Sequence, residues 1–96
     1  MRDPLLNLDE RRGLATRLPE WSVTETTLER DVTATTFLAA IDWVVDIARA
    51  AEAMDHHPDI DIRWRTLHLV LSTHDSGGIT GRDVDLAQKI DTIVGG

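Results

Sequence analysis

The sequence predicts an α+β fold, a two-layer sandwich with helices on one face of a sheet. Two observations predict it. The spacing of apolar residues switches between a helical period and a period of two, in the order helix, two strands, helix, one or two strands, helix. Two capping boxes, Asn7 with Glu10 and Thr80 with Asp83, mark helix starts towards the two ends of the chain. The 96 residues fit one domain, spanning 1–96, with a modest core.

Asn7 opens a short helix that runs to about Thr16. Leu8, Leu14 and Leu18 give it a sparse apolar side, Gly13 weakens it by about 1 kcal/mol relative to Ala, and Pro19 stops it. In "WSVTET" and "TLERDVT" apolar and polar residues alternate, which predicts two antiparallel strands joined by a turn without Gly or Asn. The longest periodic element is "ATTFLAAIDWVVDIARAAEAM". There Phe37, Ile41, Val44, Val45, Ala48 and Ala51 form one helical stripe, expected to face the core. Trp43 and Ile47 lie off that stripe, either as scattered exposed apolar residues or as a second face covered by a partner subunit.

After Pro58 the period returns to two. "WRTLHLVLSTH" reads as a strand, with Leu67, Leu69 and Leu71 on one face and Trp64, Thr66, His68, Val70, Ser72 and His74 on the other. "DIDI" ahead of it is a candidate short strand, and "SGG" at 76–78 is a loop. The last helix, "VDLAQKIDTIV", has an apolar side of Val84, Ile90, Ile93 and Val94.

Composition narrows the classes of function. Without cysteine there is no disulfide, thiolate nucleophile or zinc ribbon. No apolar run approaches the roughly 20 residues that cross a bilayer. "MRDPLLNLDERR" has no signal-peptide apolar region, so a soluble cytoplasmic protein is expected. A net charge of −7 disfavours binding to phosphate backbones, and no nucleic-acid or membrane partner is expected.

The chemistry concentrates in "EAMDHHPDIDIRW", residues 52–64. Adjacent side chains diverge on a helix and alternate on a strand, so His56 and His57 converge on one ligand only where the backbone is irregular. Pro58 supplies irregularity by pushing His57 out of the α region, leaving His56 to close the helix. His74 follows 18 residues after His56, and Asp83 sits in the first turn of the last helix. Three imidazoles and a carboxylate at element ends suit proton transfer near neutral pH. Each part also has a plainer reading: a solvated helix end for the pair, a helix cap for Asp83, a structural place for His68. Three imidazoles resemble a catalytic zinc set, but the chain lacks His-x3-His and Glu-x-x-His helical spacings, and no metal is expected.

The series Glu52-x3-His56-His57-Pro58, the aromatic Trp64, "LVLSTHD" with His74 and "GGITGRDVDLA" with Asp83 resembles the pterin-4a-carbinolamine dehydratase family. The likeness is distributed over residues 50–91, and "LPEWSV" and a helix starting near Phe37 extend it to nearly the whole chain beyond about residue 14. The resemblance implies an α-β-β-α-β-β-α order with a four-stranded antiparallel sheet. It implies loss of water from a 4a-hydroxytetrahydropterin, the carbinolamine left by aromatic amino acid hydroxylases, giving quinonoid dihydropterin in tetrahydrobiopterin recycling. No cofactor is implied. By the resemblance His56 and His74 are general acid and base, His57 binds substrate, Asp83 supports the site, and Glu52 matches a recurrent glutamate. Trp64 and Trp21 are candidate walls for the pterin ring, with core or rim roles as the alternative. A homodimer or homotetramer is also expected. The competing expectation is a catalytically silent interaction or assembly module, which would be expected to lose histidines that this chain retains.

Overall fold

Alternation along the strands decides which residues the sheet presents to the helices. The computed structural model describes residues 3–95, in the order α1 (Leu8–Arg17), β1 (Ser22–Val23), β2 (Leu28–Thr33), α2 (Phe37–Met54), β3 (Asp59–Arg63), β4 (Thr66–Leu71) and α3 (Gly81–Val94). The four strands form one antiparallel sheet in the order β1-β2-β4-β3. On β4, Leu67 lies opposite Val32 and Ile62, Leu69 opposite Arg30 and Ile60, and Leu71 opposite Leu28. These residues share a face, and Leu28, Val32, Leu67, Leu69 and Leu71 are buried there with the helices' apolar residues in a single core. The opposite face carries Glu29, Asp31, Asp61 and His68, in register across three strands. This is the α-β-β-α-β-β-α sandwich the sequence and its resemblance predict.

Both capping boxes are present. The Asn7 side chain accepts the Glu10 N–H at 2.8 Å while Glu10 accepts the Asn7 N–H at 2.9 Å. The turn after β1 needs neither Gly nor Asn because Thr24 Oγ1 accepts from the N–H groups of Thr26 and Thr27, at 3.2 and 2.9 Å.

Two elements differ from the sequence reading. On α2 the buried residues are Ala40, Ile47 and Ala51, with Trp43, Val44 and Met54 packed beside them. Phe37, Val45 and Ala48, expected inward, are exposed. The helix is apolar on most of its circumference, so two stripes fit its period. Alanines at 40 and 51 let the backbone approach its neighbours more closely than Phe37 and Val45 would, because interaxial distance follows the side chains at the contact. The second difference is at Trp64, which does not begin β4. Trp64 and Arg65 form the two-residue turn of the β3–β4 hairpin, with Trp64 at φ 55° and 74% exposed. The Arg65 guanidinium stands 5.2 Å from the Trp64 ring centroid and donates to the Ala34 carbonyl at 2.9 Å.

Leu69 is fully buried on the strand at the middle of the sheet. Leu69→Ala is expected to lower unfolding free energy by about 2–5 kcal/mol, measured by urea titration followed by circular dichroism. A loss below about 0.5 kcal/mol, the range of ordinary surface substitutions, would show that this position is not core.

Candidate active site

The end of α2 sets the geometry. Asp55 takes the left-handed conformation, φ 51° and ψ 44°, and its N–H bonds back to the helix carbonyls of Ala51 and Glu52. Asp is one of the few residues other than Gly that visits this region readily. The helix therefore closes at Asp55, one residue before His56, and not at His56 as the sequence suggested. The reversal separates the two imidazoles. His57 returns to the outer face of α2, where its Nε2 meets Glu52 Oε1 at 2.7 Å, both side chains exposed. His56 turns inward, 8% exposed, and its Nε2 lies 2.7 Å from Asp83 Oδ1.

Asp83 is wholly buried. As the third residue of α3 it completes the second capping box, accepting the Thr80 N–H on Oδ2 at 2.9 Å. The same oxygen accepts the Thr73 hydroxyl at 2.8 Å, and Thr73 Oγ1 lies 2.7 Å from Thr80 Oγ1. Cap and histidine partner are thus one group. Thr73 N–H bonds to the Gly78 carbonyl at 2.8 Å, and Gly77, at φ 80°, sends its N–H back to Thr73 at 2.9 Å. That tight turn carries His74, the next residue after Thr73, exposed and without a side-chain hydrogen bond among the described residues. His56, His57, His74 and Asp83 accordingly gather at one margin of the sheet, with Glu52 beside them.

The sequence reading missed three parts of this margin. The Thr73 hydroxyl donates to Asp83 and meets the Thr80 hydroxyl, contacts that leave no periodic signal beyond the Thr80–Asp83 capping box. The segment before α1 braces the turn: Leu6 N–H donates to the Ile79 carbonyl at 2.9 Å, Ser76 Oγ donates to the Asp3 carbonyl at 2.7 Å, and Arg82 pairs with Asp3. Gly78 packs closely here, since a Cβ there would stand 3.2 Å from Leu5 Cδ2.

Two expected site residues stand elsewhere. Trp64 is at the far end of the six-residue β4, about 20 Å from the histidine margin at 3.3 Å per residue. Trp21 is buried, and its indole N–H donates to Asp91 Oδ1 at 2.8 Å, eight residues beyond Asp83 on α3 and so about 12 Å further along its axis. Trp21 and Val23 also line an open cleft of about 690 Å³ between α1 and the turn after β1. Among the described residues no group of three or more His, Asp or Glu side chains is placed to hold a metal ion.

Fold and margin together define a two-layer α+β protein with a buried carboxylate–histidine pair flanked by two exposed histidines. Comparison with known proteins agrees. The family model for pterin 4 alpha carbinolamine dehydratase matches residues 4–93. A Mycobacteroides abscessus protein named "Putative pterin-4-alpha-carbinolamine dehydratase" is 52% identical over 91 residues, 95% of this chain and 97% of that protein. One of the same name from Roseiflexus castenholzii is 47% identical over 87 residues, 91% and 90% of the two chains. The crystal structure of a Brucella melitensis protein described as transcriptional coactivator/pterin dehydratase has a TM-score of 0.92 at 26% identity, covering 96% of this chain and all of that one. A pterin dehydratase-like protein described as a RuBisCO assembly factor of the alpha-carboxysome shares the fold, with a TM-score of 0.65 at 14% identity over 78% and 87% of the chains. The chain belongs to the pterin-4a-carbinolamine dehydratase family.

The fourth histidine lies apart. His68 Nδ1 meets Asp31 Oδ1 at 2.5 Å on the helix-free face, with Glu29 3.3 Å from its Nε2. The hydrogen bond to Asp31 raises its pKa above the ordinary 6.5, desolvation opposes this, and the charges of Asp31 and Glu29 add to the rise. A raised folded-state value means that these contacts stabilise the fold below pH 6.5, and that the contribution fades as pH rises through the folded-state pKa. An NMR titration is expected to place the His68 midpoint above 6.5 and to bring it down in Asp31→Asn. An unmoved midpoint would remove Asp31 as the cause.

Proposed function

We propose that the chain catalyses dehydration of a 4a-hydroxytetrahydropterin to quinonoid dihydropterin by histidine acid–base chemistry. The observation that carries this reading is the buried Asp83–His56 pair beside exposed His57 and His74, in a chain of this family. The reaction breaks the C4a–O bond. One proton goes to the departing oxygen and one leaves the pterin ring system, so water is lost without an oxidant or reductant. Two imidazoles can perform both transfers, each worth roughly 10²–10⁴-fold. His56 and His74 are assigned these roles, Asp83 supports His56, and His57 with Glu52 contacts the substrate. The substrate is a neutral heterocycle, so a net charge of −7 does not oppose its approach. Aromatic amino acid hydroxylases would be its source. Work in the cytoplasm is part of this proposal; among the described residues no helix is long and apolar enough to cross a membrane.

Purified protein is expected to accelerate decay of a 4a-hydroxytetrahydropterin, followed by ultraviolet absorbance, equally well with a chelator present. His56→Ala and His74→Ala should each lower kcat/KM by about 10²–10⁴-fold. Full activity in the double variant would end this mechanism, and loss of activity on chelation would point to a metal instead. A wild-type chain without activity would favour the silent assembly module.

Self-association is also proposed, through the outward stripe of α2. Phe37, Leu38 and Val45 are exposed there, three large apolar residues on one helix. Light scattering at micromolar concentration should give a dimeric or tetrameric mass, reduced by Phe37→Glu with Val45→Glu. A monomeric wild-type mass would refute this.

A further inference from the structure

Both oxygens of Asp83 serve as acceptors, and this fixes the ring they hold. Oδ1 lies 2.7 Å from His56 Nε2, and because an ionised carboxylate can only accept, Nε2 carries the proton of this contact. Oδ2 takes the Thr80 N–H at 2.9 Å and the Thr73 hydroxyl at 2.8 Å. With its own hydrogen committed to Asp83, Thr73 Oγ1 accepts in its 2.7 Å contact with the Thr80 hydroxyl. Thr80 Oγ1 in turn accepts the Arg82 N–H at 3.3 Å. Donors and acceptors therefore run one way, from Thr80 through Thr73 to the carboxylate. All three side chains are buried. No buried side-chain nitrogen or oxygen among the described residues lacks a partner, and among those residues His56 Nδ1 has no hydrogen-bond partner. Nδ1 is thus the ring nitrogen that meets solvent.

We propose that Thr73 and Thr80 are positioning residues that lock Asp83, and through it hold His56 with its proton on Nε2 and with Nδ1 turned outward as the nitrogen that exchanges protons with substrate. Only the last step rests on the dehydratase reading. The proton balance is simple. As an acid, the doubly protonated ring gives its Nδ1 proton to the departing hydroxyl, whose oxygen leaves with the C4a–O electron pair as water. The ring is left neutral, with Nε2–H still on Asp83. As a base, the Nδ1 lone pair takes a proton from the pterin ring system. In neither direction does Asp83 exchange a proton, so its hydrogen bonds survive the turnover.

Thr73→Val keeps the side chain's volume and removes the hydroxyl, whereas Thr73→Ser keeps the hydroxyl. Nitrogen-15 NMR of the imidazole rings is expected to show His56 with Nε2–H in the wild type and in Thr73→Ser, and a tautomer mixture in Thr73→Val. In the dehydration assay, kcat of Thr73→Val should fall about 10- to 100-fold with KM nearly unchanged, and Thr73→Ser should restore it. Asp83→Asn gives an independent reading. The Thr73 hydroxyl and Thr80 N–H both claim the one amide oxygen, so the amide NH2 faces His56 and drives its proton to Nδ1. An Nδ1–H tautomer in the wild type overturns the proposal outright. So does an Nε2–H tautomer kept in Asp83→Asn, or a Thr73→Val protein matching the wild type in tautomer and kcat. If Thr73→Val does not fold, the wild-type and Asp83→Asn spectra decide. A wild type that shows the lock but no dehydration supports the relay and removes the dehydratase reading instead.

Discussion

A carboxylate with no solvent exposure is the constraint on which this margin of the protein depends. Burying an ion costs several kcal/mol unless its acceptor positions are filled. Asp83 fills them from three separate stretches of chain: His56 after α2, Thr73 after β4, and Thr80 at the start of α3. One residue therefore requires three element ends to stand together, and the packing of α2 on α3 brings them there. The dependence also runs the other way. A helix start needs an acceptor for its first N–H groups, and a capping box supplies one at small cost. Using the second oxygen of that acceptor to hold an imidazole adds a function to a group the helix already needs.

The hairpin explains the spacing of the histidines. β3 carries the chain away from the margin for five residues and β4 brings it back over six, joined by the turn at Trp64–Arg65. His57 and His74 flank this excursion, so their separation in sequence records the length of the hairpin. Trp64 lies at its midpoint and so at its greatest distance from them. Within one chain, sequence proximity to the motif is the wrong guide to Trp64, because the strand period places the turn as far from the site as the hairpin allows.

Much of the fold was legible because several levels of the sequence agree. Period, caps and proline stops agreed on an element order that left only the strand at "DIDI" open, which the family resemblance supplied, and the four candidate residues His56, His57, His74 and Asp83 sit near element ends. The failures have physical causes. On α2 nearly every position is apolar, so periodicity found a helix but not the face it buries. The helix end at Asp55 and the turn at Trp64 use positive φ without glycine, leaving no compositional mark. The Thr24 hydroxyl finds its partners two and three residues away, whereas the Thr73 hydroxyl reaches Thr80 and Asp83, seven and ten residues on. The short-range bond resembles any threonine in a turn, and the long-range ones exist only once the chain is folded.

The three histidines at the margin differ in how tightly they are held, and this bears on how they can share the work. His56 is buried with one nitrogen bonded to a fixed carboxylate, His57 is tethered to an exposed glutamate, and His74 has no side-chain bond among the described residues. A locked ring offers one nitrogen in one direction, which suits a transfer whose geometry must not vary. An unbonded ring on a braced turn can choose either nitrogen and rotate to meet a proton at a different atom. In the proposed dehydration the departing oxygen and the ring proton occupy different places on the substrate, so the two transfers would fall to differently placed imidazoles. Asp3, Leu6 and Ser76 steady the turn through hydrogen bonds, and these fix where the His74 backbone stands while His74 itself is exposed. If dehydration is the reaction, one acid–base group held rigidly and another held only by its backbone would be able to serve two proton transfers at separate atoms.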